Sequence, residues 1–230
     1  GKGRTKWVQA FRLPTEADHQ ALLDAEQELN QVLPAWLAKE VVPTEQVPAG
    51  NDSRPHQYGM SYWREMFAPR QLLVHGVFVE EYQRLVPELR GTMERDRADA
   101  VLALLGLMQG KALNYNATQC SWDYTGRNKI AQVFSRHGFP LKYAFAEFEG
   151  ARELYPWCLD QVVQAYEGIA ELLVPSDGEM AGGLRFAVPG QVSVTRGTAG
   201  NLAGVADGSH SLVCVDPPYY DNVMYAELSD

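Results

Sequence analysis

The chain has 230 residues, 46% hydrophobic and 21% charged, an ordinary composition for one large globular domain or two small ones. Its formal net charge of -9 argues against a self-sufficient duplex-binding module, because such modules take most of their affinity from Lys and Arg against phosphates. No apolar run approaches the ~18 residues of a membrane span, and "GKGRTKWVQAF" leads into a polar helical pattern rather than a signal-peptide core, so the expectation is a cytoplasmic protein with no membrane partner.

The first predicted element is a helix in "TEADHQALLDAEQELNQVLPAWLAKE" (15–40). Thr15 stands three residues before Asp18 in a capping-box pattern, and Leu22, Leu23, Leu29, Val32 and Leu33 recur at helical spacing. Pro34 is expected to end or kink it. Residues 41–59, with three prolines and no periodicity, read as a long connection. "PRQLLVHGVFVEEYQRLVPEL" (69–89) and "DRADAVLALLGLMQGKAL" (96–113) are amphipathic helices expected to pack on one another.

Further on, "NKIAQVFSRHG" (128–138) reads as a short helix closed by Gly138. "PWCLDQVVQAYEGIAELLV" (156–174) reads as a longer one, with Pro156 in its first turn. Its stripe of Leu159, Val162, Val163, Tyr166, Ile169, Leu172 and Leu173 is expected to face a core. At 176–190 the pattern changes. Gly and Pro punctuate short β-like runs at "LRFAV" (184–188), "VSVTR" (192–196) and "SLVCVD" (211–216), the last continuous enough for a buried parallel strand. The expected fold is therefore a mostly α-helical region followed by part of an α/β sheet. Two or three strands do not close a doubly wound domain, so the sheet reads as a piece of something longer.

Cys120, Cys158 and Cys214 form no C-x-x-C pair, and His19, His56, His75, His137 and His210 form no ligand pair. Three reduced thiols and no metal in this segment are expected.

The chemistry-bearing stretch is "SLVCVDPPYYDN" (211–222). Asp216 follows an apolar run and is succeeded by Pro217, Pro218 and Tyr219. Two prolines stiffen the backbone, remove two N–H donors and leave carbonyl oxygens as acceptors beside the carboxylate. Such a corner suits an exocyclic amino group. Taking both amine hydrogens favours a pyramidal nitrogen whose lone pair can attack an electrophilic methyl. Tyr219 offers a stacking face for a base rotated out of its helix. D-P-P-Y arises by chance in roughly one chain in a thousand of this length, which favours the chemical reading. The competing reading is a rigid Asp-Pro turn lidded by the tyrosine.

"DPPYYDNVMYAELSD" closely resembles the catalytic motif of amino-group DNA methyltransferases, in particular the bacterial adenine-specific DNA methylases that contain a zinc ribbon. "FRLPTEADHQALLDAEQEL" (11–29), "YWREMFAPRQLL" (62–73) and "KIAQVFSRHGFPLKYAFAE" (129–147) are similar to segments such proteins carry ahead of their motif. The resemblance implies methyl transfer from S-adenosylmethionine to adenine N6 in DNA. Asp216 and the Pro217 carbonyl would hold the amine and Tyr219 would stack, with Pro218 in the same motif and Tyr220, Asp221 and Asn222 lining the pocket. It also implies a partial Rossmann-like segment at 181–230, a helical insertion at 61–180, and a helix plus Pro-rich connection at 1–60.

Two departures stand out. No F-x-G-x-G cofactor loop is present: "MAGGLRF" (180–186) precedes a strand pattern, and the family's loop and zinc ribbon are expected upstream, in the remainder of the same protein. Thr198 also stands where many related enzymes place an acid beside the cofactor's adenine.

Arg64, Arg70, Arg84, Arg90, Arg95 and Arg97 concentrate cations in an acidic chain. Ordinary ion pairs on helix faces are the favoured reading and phosphate contact the sharper one. Two rivals remain open. One is methylation of cytosine N4, of RNA or of a protein amide. The other is a non-catalytic helical interaction module of a restriction or anti-phage complex.

Overall fold

The computed structural model describes residues 11–50, 52–125, 129–135, 138–173, 194–198, 200–217 and 225. It divides into two compact units, residues 1–158 with 224–230, and residues 159–223. The described residues are mostly helical, with one small antiparallel sheet of two strands.

The first helix, α1, spans Glu16–Ala38. The Asp18 carboxylate turns back onto its N-terminus and accepts from the Thr15 N–H at 2.6 Å and the Thr15 hydroxyl at 2.7 Å. Arg12 braces the same carboxylate at 2.5 Å and 2.8 Å and holds its pKa well below the usual carboxylate range.

Pro34 does not end α1, which continues four residues past it. The lost bond frees the carbonyl of Asn30, an exposed residue where water can take its place. What holds the last turn is Trp36, only 2% exposed. Burying about 200 Å² of indole is worth ~5 kcal/mol, against ~3 kcal/mol for an interior proline. Burial wins.

α1 ends in a Schellman turn. Val41 N–H donates to the Trp36 carbonyl at 2.9 Å and Glu40 N–H to the Leu37 carbonyl at 3.4 Å. Glu40 sits at φ 55°, the left-handed conformation that glycine usually supplies there.

The connection that follows is not idle. Val41, Val42 and Val47 are buried, Gln46 bridges to Tyr62, and a single helical turn, α2, forms at Arg54–Gln57. A 3₁₀ turn at Trp63–Met66 leads into α3, Pro69–Thr92, and then α4, Arg95–Tyr115. α3 packs between α1 and α4. Leu29 and Trp36 of α1, Val41, Val42 and Leu72 of α3 form one buried cluster. The close approach of α1 to α3 requires Gly76: a β-carbon there would lie 2.1 Å from Cζ3 of Trp36.

Residues 129–135 do not form the expected helix. Lys129–Ala131 is a strand, β2, paired antiparallel with β1, Ser121–Asp123, and a short 3₁₀ turn follows at Val133–Ser135. Asp123 Oδ1 sets the turn by accepting from Thr125 N–H at 3.0 Å. β-Branched Ile130 then packs against the cluster of Ala117, Cys120 and Val133.

A wide π-type turn at Gly150–Leu154 precedes α5, Tyr155–Leu173. Of its expected core stripe, Leu159, Val163, Tyr166 and Ile169 are exposed.

Of the expected strands, 184–188 lies outside the described residues. Residues 194–197 are exposed and carry no regular structure. Residues 212–217 are likewise not a buried strand: Leu212, Val213 and Val215 are 81%, 73% and 70% exposed. A strand needs a neighbour to take its N–H and C=O groups, and none pairs with this run among the described residues. The α/β sheet expected at the end of the chain is therefore not seen among them.

Candidate binding cavity and the Asp216–Pro217 segment

Asp216 and Pro217 lie in the second unit as exposed chain without regular secondary structure. Asp216 is exposed, and no partner for its carboxylate is present among the described residues. Pro218, Tyr219, Tyr220, Asp221 and Asn222 lie outside the described residues. Thr198 is exposed in a small turn, bridged to Asn201, and its hydroxyl accepts from Gly200 N–H at 3.2 Å. Its side chain therefore serves its own turn.

The arginines are largely committed to pairs. Arg70 pairs with Glu147, Arg84 with Glu81 at 2.8 Å, and Arg90 and Arg95 both with Asp99, at 2.9 Å and 3.8 Å. Arg64 lies over the Tyr62 ring at 4.0 Å and donates to the Pro43 carbonyl. Arg97 has no acidic partner among the described residues. No cluster of metal-ligating residues is present among them either.

The concave site the sequence reading did not find lies in the first unit. It is a cavity of about 1120 Å³ between the 40–48 segment, α3, α4 and the turn at Val133–Ser135. Val41, Met66, Phe67, Leu113 and Phe139 give it apolar walls, and His75, Gln109, Asn114 and Gln119 give it polar points. Glu40 and Glu45 are its exposed charged lining.

A buried polar network stands behind one wall. Gln71 caps α3 by accepting from Ala68 N–H at 2.9 Å and reaches Asn116 Oδ1 at 3.4 Å. Asn116 Oδ1 also accepts from Phe148 N–H at 3.0 Å. His75 Nε2 is 3.0 Å from the Asn116 carbonyl, and Nδ1 is 3.1 Å from the Tyr155 hydroxyl. That hydroxyl is 2.7 Å from Oε1 of Gln109.

Burial pushes the His75 pKa from 6.5 down to about 4, outweighing the raising effect of the Asn116 carbonyl. Near neutral pH the ring is therefore uncharged, and this dictates the protons. A carbonyl only accepts, so Nε2 carries the hydrogen and the Nδ1 lone pair faces Tyr155. The Tyr155 hydroxyl donates to Gln109 Oε1, the shorter of its two contacts. A proton added at Nδ1 would be donated to the phenol oxygen without breaking that bond.

Gln119 is different. It is 4% exposed, and its Nε2 is buried without a hydrogen-bond partner. Polar residues four apart on the packed face of α3, Gln71 and His75, were the available sequence signal for this network. No family model, curated protein or solved structure matches the chain.

Proposed function

We propose that the chain is part of a DNA methyltransferase that transfers a methyl group from S-adenosylmethionine to N6 of adenine in DNA. The observation that carries the reading is Asp216-Pro217-Pro218-Tyr219 itself, an acceptor-rich, donor-poor sequence, with Asp216 exposed and its carboxylate without a partner among the described residues. In this role Asp216 and the Pro217 carbonyl accept the amine hydrogens and Tyr219 stacks on the extruded base. Tyr220, Asp221 and Asn222 line the pocket, and the Thr198 hydroxyl is the candidate for a cofactor contact. The exposed apolar run Leu212–Val215 also supports a Rossmann-like sheet completed by other strands of the same protein, where the main S-adenosylmethionine loop would lie.

The test uses the complete protein carrying this segment, incubated with S-adenosylmethionine and duplex DNA, followed by mass spectrometry of the nucleosides. N6-methyladenine that disappears in Asp216→Ala is the expected result; N4-methylcytosine instead would move the target, and methylation unchanged in Asp216→Ala would refute the reading.

The open apolar face of α5 favours a second reading, a non-catalytic helical interaction or DNA-contacting module of a restriction or anti-phage complex. Under it, Asp216→Ala leaves partner binding and activity intact.

A further inference from the structure

The cavity of the first unit offers a ligand two things, surface and charge. Its surface is apolar and aromatic, with Trp63, Met66, Phe67, Phe134 and Phe139 in the lining. Its volume of about 1120 Å³ exceeds the ~300–1,000 Å³ of typical small-molecule pockets, so a ligand of that class fits without rearrangement. Several of its polar side chains are already engaged. Both ring nitrogens of His75 have partners, and Gln109 Oε1 accepts from Tyr155. Asn114 donates to Gln132 at 3.2 Å and accepts from Phe134 N–H at 3.4 Å. Recognition here therefore rests on apolar contact and on the sign of the local charge rather than on directed hydrogen bonds.

That sign is negative. The described lining contains Glu40 and Glu45 and no Lys or Arg. Both glutamates are exposed, and neither forms an ion pair among the described residues. The neighbouring cations do not line the cavity. Lys39 pairs with Glu80 at 3.8 Å, and Arg64 lies over the Tyr62 ring and donates to the Pro43 carbonyl. A carboxylate acts on a cation through its field, so the two glutamates contribute without a fixed contact. Aromatic faces add to the same preference, because their electron-rich faces attract an ammonium group. An apolar body with a positive head matches both features, whereas an anionic ligand is disfavoured by both.

We infer that this cavity binds a small organic cation, an apolar or aromatic body carrying an ammonium head, with the body against the aromatic walls and the head in the field of Glu40 and Glu45. The inference stands apart from the methyl-transfer reading, since no residue of 211–222 takes part in it.

The experiment titrates the 230-residue chain at neutral pH with phenylbutylamine, phenylbutanol and phenylbutyrate, one body with three head charges. Binding is read by calorimetry and by tryptophan fluorescence, to which Trp63 in the lining contributes. At low ionic strength the amine is expected to bind saturably at one site, at least fivefold tighter than the alcohol and more weakly still for the carboxylate. The preference is expected to shrink as salt is added. Glu40→Gln combined with Glu45→Gln keeps the side-chain shapes and is expected to bring the amine within twofold of the alcohol, with the alcohol unchanged. Gly110→Phe tests the place. Gly110 lines the cavity and a β-carbon there meets nothing within 4 Å, so the variant gains helix propensity in α4 and is expected to fold and to weaken the amine at least tenfold. Absence of saturable amine binding, alcohol or carboxylate binding as tightly as the amine, a preference that survives the double substitution, or amine binding unchanged in Gly110→Phe would each overturn the inference.

Discussion

Acidification from pH 7 to pH 4 should remove about 3 kcal/mol of stability through His75 alone. Unfolded, this histidine takes up its proton near pH 6.5; folded, burial delays that to about pH 4. Between those values the unfolded chain binds more protons than the folded one, so stability falls as pH drops through the window and the loss is complete below it. The gap from 6.5 to about 4, at ~1.4 kcal/mol per pH unit, gives ~3 kcal/mol. That is a large share of the ~5–15 kcal/mol typical of a domain.

Two carboxylates with lowered pKa values act below this window. Asp18, held by hydrogen bonds from Arg12 and Thr15, and Asp52, held by Arg54, have lowered pKa values and lose their contributions only as pH falls below 3.8. Urea unfolding followed by circular dichroism at pH 7, 6, 5 and 4.5 measures the slope, with His75→Gln as the reference that cannot titrate. The variant should be less stable at pH 7 yet much flatter with pH. Parallel curves for the two proteins, or an NMR titration of His75 centred near 6.5, would refute the buried, neutral relay.

Two other substitutions test the helical packing. Gly76→Ala places a β-carbon 2.1 Å from Trp36, a fully buried ring with no room to yield, and should lower stability by about 3 kcal/mol in thermal or urea unfolding. Glu40→Gly relieves a left-handed residue in the Schellman turn and should raise stability by ~1 kcal/mol, less the entropy glycine adds to the unfolded chain.

The long helices were legible because their apolar residues recur at the helical period: α1, α3, α4 and α5 all form where that period placed them. What burial each stripe obtains is not a local property. Leu29 and Val32 of α1 find α3 to pack on, whereas Tyr166 and Ile169 of α5 are exposed. Residues 129–131 carried a helix-compatible pattern and became a strand, because pairing with 121–123 and the Asp123 turn outweighed propensity. The cavity was hidden for a related reason. Gln119 and Asn114 come from the end of α4 and the turn after it, and their convergence with His75 depends on how α3 and α4 meet. For Asp216 the chemical role remains the proposal made above, and the described residues before it are exposed instead of the buried strand expected there.

The three cysteines differ in a way that has practical value. Cys120 and Cys158 are fully enclosed, and desolvation raises both thiols, Cys158 to about 11, while Cys214 is exposed two residues before Asp216. A maleimide dye or spin label applied to the native chain therefore lands beside the DPPY segment without any engineered cysteine. Under the methyl-transfer proposal, arrival of a nucleic acid or of a completing strand at that segment would become a change in fluorescence anisotropy or line shape, readable before any product forms.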